Sequence, residues 1–275
     1  MKDFKDKVAV ITGAGSGIGR YLAVLLAKYG AHVAICDINE KTLNETSEML
    51  RKYNVSVSNH LLDVSDSEAI EALPKKVIEA HGKVNLVFNN AGVALSAQLD
   101  EVKREDFDWL FNINFWGVVN GTEAFLPYLK ESKDGHIINI SSVFGMISLP
   151  TQGSYNASKF AVRGYTEALR QEMIMGNQPV GVSCVHPGGI ATEIARNARV
   201  SESDDKEELA ASFDKLARTT PKKAAQTILK GVMKNKARVM IGADAHFIHF
   251  MVRLLGSGYQ FLTTAFTQKI NPNNG

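Results

Sequence analysis

The sequence predicts an α/β fold in which one parallel sheet carries helices on both faces. The chain has 275 residues, of which 45% are apolar and 22% are charged, a balance typical of a folded globular protein. Short runs rich in Val and Ile alternate with longer stretches of helical periodicity, which is the pattern of βαβ units. The apolar runs are continuous, as expected for strands that helices bury on both faces.

Seven apolar runs are the predicted strands, namely residues 8–12, 32–37, 56–62, 86–89, 136–140, 180–186 and 238–241. Right-handed crossovers and sequential winding predict a doubly wound sheet, and the expected fold class is a Rossmann-like sheet with the strand order 3-2-1-4-5-6-7. Ligands bind such sheets beyond the carboxyl ends of the strands. Cys36 and Cys184 lie within the runs and are predicted to be buried core residues.

The charge balance excludes some classes of partner. Thirty-one Lys and Arg residues stand against 29 Asp and Glu residues, and the net charge of +2 provides no general field for holding nucleic acid. Two cysteines and the lack of a signal or transit pattern indicate a cytoplasmic protein, and no apolar run is long enough for a transmembrane segment. His246 and His249 lack a third ligand at suitable spacing, so no metal site is expected.

The segment TGAGSGIG, from Thr12 to Gly19, directly follows the first predicted strand and opens a helix. Glycines let a backbone turn tightly and approach a pyrophosphate, while a helix N-terminus presents N–H groups and the positive end of its dipole. The segment therefore predicts a site for the phosphates of a dinucleotide, with a plain tight turn as the alternative.

Asp37 ends the second predicted strand, and neither Ser16 nor residues 38–39 supply a cation beside it. A carboxylate at this position can accept hydrogen bonds from both hydroxyls of an adenosine ribose and would repel a 2′-phosphate. NAD is therefore the expected cofactor, in preference to NADP. The same residue could also be the N-cap of a helix over residues 40–52.

Tyr155 and Lys159 stand at positions i and i+4, so that one face of a helix presents a phenol beside an ammonium group. A neighbouring cation favours the phenolate and brings a tyrosine toward the working range of a general base. Ser142 follows the fifth predicted strand and could hold an alcohol or carbonyl oxygen for Tyr155. Taken alone, the Tyr-x-x-x-Lys spacing also occurs on ordinary surface helices.

Together these motifs resemble the short-chain dehydrogenase/reductase family in its single-domain subtype. The glycine spacing, the sequence NNAG at residues 89–92 and the sequence PGGIAT at residues 187–192 are in register with that family over about residues 5–242. The resemblance implies an NAD-dependent oxidoreductase that acts on a small-molecule alcohol or ketone as a homodimer or homotetramer. A non-catalytic NAD-sensing or scaffold protein is the alternative, while the glycine spacing disfavours a sugar-nucleotide epimerase or dehydratase.

The resemblance also implies roles for individual residues. Tyr155 would be the general acid/base, Lys159 would lower its pKa and bind the nicotinamide ribose, and Ser142 would orient the substrate oxygen. Asn114 would hold a water molecule that relays protons from Lys159. Cofactor contacts are implied for Gly13, Ser16, Gly17, Ile18, Gly19, Asp37, Ile38, Asp63, Val64, Asn90, Ala91, Gly92, Ile113, Tyr155, Lys159, Pro187, Gly188, Ile190 and Thr192.

The residues expected to face the substrate are largely apolar, and none of them is charged; they are Leu95, Ser142, Phe144, Gln152, Gly189 and Ile194. A buried charge without a partner would cost several kcal/mol, so the substrate is expected to be an uncharged, lipophilic alcohol or ketone. Ordinary core packing remains the alternative for part of this set.

Residues 1–242 are expected to form a single catalytic domain. Within it, residues 196–223 mix acidic and basic side chains around an apolar stripe at Leu209, Phe213 and Leu216, typical of a solvated helix or of a substrate lid. Residues 243–275 form an appendage with an amphipathic helix that ends at a break over residues 256–258. Packing on the domain or on a partner subunit, capping of a pocket and contact with a membrane surface all remain open for this appendage.

Overall fold

The structure is a computed structural model that describes residues 1–201 and 206–270. Its strands are β1 (Val8–Thr12), β2 (His32–Asp37), β3 (Val57–Leu61), β4 (Leu86–Asn89), β5 (Leu95–Ser96), β6 (Gly135–Ile140), β7 (Val180–Pro187), β8 (Arg199–Val200) and β9 (Arg238–Ile241). Its α-helices are α1 (Gly17–Lys28), α2 (Glu40–Leu50), α3 (Ser67–His81), α4 (Arg104–Phe111), α5 (Gly117–Glu131), α6 (Gly153–Met175), α7 (Lys206–Leu216), α8 (Pro221–Met233), α9 (Ala243–Leu255) and α10 (Tyr259–Ile270). A π-helical turn spans Asn112–Trp116, and 3₁₀ turns span Val143–Gly145 and Gly256–Gly258.

Seven of the strands form one parallel sheet in the order β3-β2-β1-β4-β6-β7-β9. Numbered by themselves, these strands have the order 3-2-1-4-5-6-7, so the predicted doubly wound sheet is confirmed. The remaining two strands, β5 and β8, pair with each other in a separate sheet. The sequence did not predict this pair, because strands of two residues are too short to show a hydrophobic period.

Alternate side chains of β1 enter the two cores on opposite faces of the sheet, as the period of a strand requires. Ala9 and Ile11 belong to the core under α1, α2 and α8. Val8 and Val10 belong to the core under α3, α5 and α6. All five residues of β1 and all six of β6 are buried, which confirms the expected burial on both faces for these strands. The expectation is wrong for β3, which has no buried residue because it lies at the edge of the sheet.

Both cysteines are buried free thiols, as predicted. Burial raises the pKa of Cys36, and it raises the pKa of Cys184 to about 12. A thiol with a raised pKa stays protonated at neutral pH and is a poor nucleophile. The cysteines are therefore core residues with no part in the chemistry.

Helix α2 shows which residue caps it. The side chain of Asn39 accepts a hydrogen bond from the backbone N–H of Thr42 at 3.1 Å, so Asn39 is the N-cap. The alternative role of Asp37 as a helix cap is therefore wrong. The helix ends at Leu50, two residues before the predicted end at residue 52, because the chain turns at Arg51.

The region predicted as a lid or solvated helix comprises β8, α7 and the start of α8, and it is attached at both ends. The backbone N–H of Ser201 bonds to the carbonyl of Ser96 at 3.0 Å, and the N–H of Ala191 bonds to the carbonyl of Thr219 at 3.0 Å. Of the predicted apolar stripe, Phe213 is half-buried, whereas the side chains of Leu209 and Leu216 lie outside the described part.

The predicted amphipathic helix of the appendage is α9, and the predicted break is the 3₁₀ turn Gly256–Gly258. A further helix, α10, follows the turn. Among residues 1–201 and 206–270, no helix has the length and apolar character needed to cross a bilayer.

Candidate active site

The glycine loop lies between β1 and α1, where the chain must turn sharply beside β4. Gly13 and Gly17 have φ values of +64° and +50°, a region that side chains disfavour. A Cβ added at Gly13 would lie 2.9 Å from the Cα of Ala91, and one added at Gly17 would lie 3.1 Å from the Cγ2 of Thr192. The missing side chains leave a cradle at the N-terminus of α1, where helix N–H groups face an incoming anion.

Asp37 closes one side of this cradle from the end of β2. Its carboxylate accepts hydrogen bonds from the backbone N–H of Gly15 at 2.8 Å and of Asn39 at 2.9 Å. The adjoining Ile38 is 67% exposed, an unusual position for a large apolar side chain. Asp37 is thus held against the loop, with Ile38 forming an apolar surface beside it.

Arg20 is a residue near the loop that the sequence reasoning missed. Its guanidinium donates to Glu45 at 2.9 Å, to the hydroxyl of Thr46 at 3.0 Å and to the carbonyl of Gly15. The basic residue directly after Gly19 was the available signal. These bonds show that Arg20 ties the loop to α2, and that its charge is paired with Glu45.

The NNAG segment after β4 is bound to the same loop. The side chain of Asn90 donates to the carbonyl of Thr12 at 2.9 Å and to that of Gly13 at 3.2 Å. The hydroxyl of Thr12 accepts from the backbone N–H groups of Asn90 and Ala91 at 3.0 and 3.1 Å. Two segments far apart in sequence, both predicted to contact a cofactor, therefore form one rigid edge.

Asp63 and Val64 follow β3, at the same edge of the sheet as the glycine loop. The carboxylate of Asp63 accepts from the backbone N–H of Ser65 at 2.8 Å, whereas Val64 is buried and would lie 3.0 Å from a Cβ at Gly117. Ile113 is half-buried and packs against the core that contains Val64. Ile190 is only 4% exposed and belongs to the core on the opposite face of the sheet, so its side chain packs in that core.

Asn114 is fully buried within the π-helical turn that joins α4 to α5. Its side-chain oxygen accepts from the backbone N–H of Val93 at 2.8 Å, and its nitrogen donates to the carbonyl of Val93 at 3.0 Å and to the hydroxyl of Ser158 at 3.3 Å. Single π-helical turns frequently occur at functional sites because the extra residue redirects a side chain. Here the turn carries Asn114 next to α6.

Lys159 extends from α6 into the space beside Asn114. Its ammonium group is buried and donates to the carbonyl of Ile140 at 3.2 Å. A Cβ added at Gly92 would lie 3.1 Å from the Oδ1 of Asn114 and 3.4 Å from the Nζ of Lys159, so the three residues meet at one point. Burial lowers the pKa of Lys159 to about 8.

Tyr155 lies one turn before Lys159, with the Nζ of Lys159 5.6 Å from the centre of its ring. Burial raises the pKa of Tyr155 to about 12, and a hydrogen bond with Ser142 opposes that rise. This differs from the expectation that Lys159 lowers the pKa of the phenol. Burial disfavours the charged phenolate, and the bond with Ser142 offsets this only in part.

Ser142 begins the 3₁₀ turn after β6. Its hydroxyl accepts from the backbone N–H of Phe144 at 3.1 Å, and the ring of Phe144 meets that of Tyr155 edge to face at 6.0 Å. The carbonyl of Ser142 accepts from the Nδ1 of His186 at 2.9 Å. His186 is fully buried at the end of β7, and burial lowers its pKa to about 4, so it is neutral. Sequence reasoning missed this support because nothing local marks it.

The other predicted substrate residues differ in their burial and contacts. Leu95 is buried in β5. Gln152 forms an isolated β-bridge with Ala97, which directly follows that strand. Ile194 is half-buried. Gly189 follows β7 and donates its backbone N–H to Asp244 at 2.7 Å. A cavity of about 310 Å³ lies beside the β5–β8 pair, and Leu95 forms part of its wall.

A search of residues 1–201 and 206–270 for three or more His, Cys, Asp or Glu side chains that could hold a metal ion finds no such group. His246 and His249 are separated by one helical turn on α9, and the pKa of His249 is lowered by burial and by nearby Arg residues.

A doubly wound sheet with a glycine cradle and a Ser, Tyr, Lys and Asn cluster at one edge defines a dinucleotide-dependent oxidoreductase site. A family model described as short chain dehydrogenase matches residues 7–203. The chain therefore belongs to the short-chain dehydrogenase/reductase family of oxidoreductases.

Three comparisons place it more closely. A protein named as an oxidoreductase, SadH of Mycobacterium tuberculosis, is 47% identical over 273 residues, which are 99% of each chain. A 3-ketodihydrosphingosine reductase of Bacteroides thetaiotaomicron is 36% identical over 210 residues, 76% of this chain and 74% of that protein. A crystal structure of a short-chain dehydrogenase/reductase from Burkholderia phymatum in complex with NAD has a TM-score of 0.84 at 31% identity and covers 92% of this chain and 96% of its own.

Proposed function

We propose that this protein is an NAD(H)-dependent oxidoreductase that transfers a hydride between NAD and an uncharged, lipophilic secondary alcohol or ketone, with Tyr155 as the general acid/base. The observation that carries the proposal is the meeting of Ser142, Tyr155, Lys159 and Asn114 beside the glycine loop. A scaffold protein that only senses NAD would not need this cluster.

The residues present fit NAD. The glycine cradle has room where Cβ atoms would otherwise reach Ala91 and Thr192, and α1 begins there with no acidic residue in its first turn. Asp37 offers carboxylate oxygens to ribose hydroxyls, and the charge of Arg20 beside the loop is already paired with Glu45. This arrangement favours NAD over NADP, and the NAD complex of the Burkholderia phymatum relative supports it.

When bound, NAD supplies the hydride acceptor and NADH the hydride donor at the nicotinamide ring. The chain's own residues supply the proton and the geometry. The Ser142 hydroxyl holds the substrate oxygen, and Tyr155 takes the proton of an alcohol or gives one to a ketone. The hydrogen bond with Ser142 opposes the rise that burial causes in the pKa of Tyr155, which is the direction that a base requires.

Lys159 and Asn114 complete the path of the proton. With a pKa of about 8, the Lys159 ammonium can lose or regain a proton near neutral pH. Asn114 is fixed by Val93 and Ser158, so that its side chain can hold a water molecule beside Lys159. A water molecule held by this amide would let protons pass from Tyr155, by way of Lys159, toward solvent.

The substrate side supports an uncharged ligand. The ring of Phe144 lies against Tyr155, and the buried Leu95 and half-buried Ile194 add apolar surface. A charged group placed there would lose its hydration without gaining a partner. The Bacteroides thetaiotaomicron relative is named for the reduction of a ketone, which is consistent with this class of substrate.

The organisation of the molecule follows from the same proposal. Residues 1–242 form the catalytic domain, residues 196–223 cover the substrate, and residues 243–275 are an appendage. A homodimer or homotetramer would cover apolar side chains that are exposed in one chain, such as Trp116 at 50% and Phe160 at 39%.

The test is a screen of secondary alcohols, from small diols to steroids, in which reduced nicotinamide is followed by its absorbance with NAD and with NADP. We expect turnover with NAD, and Tyr155→Phe should lower kcat by about 10²- to 10⁴-fold while NAD binding persists. Tyr165→Phe is the matched control, because Tyr165 lies on the same helix and its ring contacts Phe115. Undiminished turnover in Tyr155→Phe, or activity on sugar phosphates or carboxylic acids alone, would contradict the proposal.

A further inference from the structure

We propose that the C-terminal appendage is a working part of this active site, in which Asp244 and Tyr259 are positioning residues. Asp244 holds the loop after β7, and Tyr259 holds the loop after β6 that begins at Ser142. The inference rests on the proposed function, since these loops carry the expected contacts to nicotinamide and substrate.

Asp244 is an exposed residue whose carboxylate lies against two glycines at the end of β7 and β9. Its Oδ2 accepts from the backbone N–H of Gly189 at 2.7 Å. A Cβ added at Gly188 or at Gly242 would collide with the same carboxylate. Two glycines therefore make room for one side chain, which reaches from the first turn of α9 to the loop that leads to Thr192.

Backbone bonds hold other parts of that loop. The N–H of Gly188 bonds to the carbonyl of Ile241 at 3.0 Å, and the N–H of Thr219 bonds to the carbonyl of Gly189 at 3.2 Å. Asp244 adds a charge-assisted bond, which is stronger than a neutral one. It thereby fixes the direction in which the loop passes the glycine cradle, where Thr192 lies against Gly17.

Tyr259 performs the same task for the loop after β6. It is 9% exposed, and its hydroxyl accepts from the backbone N–H of Ser148 at 3.1 Å. Ser142 and Ser148 bracket the 3₁₀ turn Val143–Gly145. Ser148 itself is exposed, so the hold on this loop comes from the partly buried bond together with the burial of the Tyr259 side chain.

The middle of the loop is also packed by the appendage. Ala245 of α9 is fully buried and forms one apolar cluster with Val143 and Met146. The half-buried Phe144, whose ring lies against Tyr155, packs on that cluster. The appendage thus contacts the loop at its middle and at its end, while His186 supports its start from β7.

This geometry gives the two residues separable effects. Asp244 acts through the loop expected to contact the nicotinamide, so its loss should raise the KM for NAD. Tyr259 acts through the loop of Ser142, so its loss should lower kcat at saturating NAD. A displacement of about 1 Å can cost about 10²-fold in rate, so effects of about 10-fold are expected from partial shifts.

The experiment uses the full-length protein and the best alcohol from the substrate screen. Tyr259→Phe keeps the ring and removes the acceptor, and we expect kcat to fall about 10-fold with the KM for NAD within about 2-fold of wild type. Asp244→Ala should raise the KM for NAD about 10-fold, and Asp244→Asn, which keeps an acceptor oxygen, should recover most of that loss. The pKa values of the pH–rate profile should stay in place, because neither residue carries the proton.

Two substitutions serve as matched controls. Phe261→Leu changes a residue of α10 that is 83% exposed, and Asp108→Ala removes a surface carboxylate paired with Arg104. Both should leave kcat and KM unchanged. Thermal unfolding of each variant shows that it is folded before its kinetics are compared.

A readout without substrate separates this inference from the proposed function. Hydrogen exchange at the Ser148 and Gly189 amides should accelerate in Tyr259→Phe and Asp244→Ala respectively, whether or not any alcohol is turned over. If wild type shows no turnover but exchange responds, the proposed function fails and the holding of the loops stands. Unchanged exchange, or a lower melting temperature with unchanged kcat and KM, would overturn the positioning roles.

Discussion

Gly92 shows how a single backbone position limits the site. It lies where Asn114 and Lys159 approach from two different helical elements, and only the lack of a side chain leaves them room. The sequence marks Gly92 as part of a motif, but it does not show which atoms the missing Cβ would meet. The structure supplies that reason, since the proposed proton path passes beside this residue.

Gly92→Ala should lower kcat about 10-fold, because the added Cβ must displace Asn114 or Lys159 by a few tenths of an ångström. The measurement is steady-state turnover, with thermal unfolding to show that the fold is kept. Gly164→Ala is the control, since a Cβ there meets nothing within 4 Å on helix α6. The control should keep its activity and gain about 0.5–1 kcal/mol of stability. Equal activity in both variants would contradict the assigned geometry.

Asp37 and Asn39 show where sequence reasoning stops at the residue scale. Both are residues that cap helices well, and both stand within three residues of the start of α2. The choice between them depends on which of the two side chains is hydrogen-bonded to the loop after β1. Because Gly15 donates to Asp37, the capping role falls to Asn39.

At the scale of elements, β6 carries a histidine inside the sheet core. His136 is buried, and its Nε2 lies 2.9 Å from the hydroxyl of Ser183, which in turn donates to the carbonyl of Lys236. Burial lowers the pKa of His136 to about 3. The folded protein therefore keeps this ring neutral at pH values where the unfolded chain protonates it.

The stability of the protein should fall as the pH drops below about 6.5, the pKa of an ordinary histidine. Between that value and about 3 the unfolded state binds a proton that folded His136 refuses, which costs about 1.4 kcal/mol per pH unit for this one group. Above pH 7 the effect vanishes, because both states are neutral.

Urea unfolding across this pH range measures the effect. His136→Gln keeps a donor for Ser183 and cannot titrate, so its unfolding free energy should depend less steeply on pH. His246→Gln changes an exposed histidine of α9 and should retain the wild-type slope. The same slope in all three proteins would show that His136 is not the source.

The π-helical turn between α4 and α5 is an element that hydrophobic periodicity could not reveal. An inserted residue shifts a helix by a fraction of a turn, which a short window of apolar spacing does not resolve. The β5–β8 pair was not predicted either, because strands of two residues are too short to show a hydrophobic period. Both elements lie beside the site, and both are stabilised by contacts between segments that are distant in sequence.

At the scale of the whole molecule, the appendage and the domain share a core. Removing residues 243–275 would take away Ala245 and Tyr259 and expose the cluster of Val143 and Met146. All seven strands of the main sheet would remain, since β9 ends at Ile241. The loss of Asp244 should weaken the binding of NAD without abolishing it, and the loss of Tyr259 should lower the turnover of substrate.

The shortened protein should still be stabilised against heat by NAD, while its turnover should fall at least about 10-fold. Thermal unfolding with and without NAD, together with the kinetics, tests this. Light scattering on both proteins shows whether the assembly changes, so that a loss of subunit contacts can be distinguished. Kinetics identical to those of the full chain would contradict a role for the appendage in the site.

Much of the sheet and the edge where the site lies could be predicted from the sequence. Continuous apolar runs and motif spacing are local or nearly local features that predict the strands and a doubly wound fold class, and the strand order follows from that class. The glycine loop and the Tyr155–Lys159 pair were recognisable for the same reason.

What holds those residues in place depends on contacts that form in the tertiary structure. The bonds of Tyr259 to Ser148 and of His186 to Ser142 join residues that are 111 and 44 positions apart. No local pattern encodes such pairs, because they form only after helices have packed on the sheet. The raised pKa of Tyr155 has the same origin, since its burial depends on the elements that pack around it.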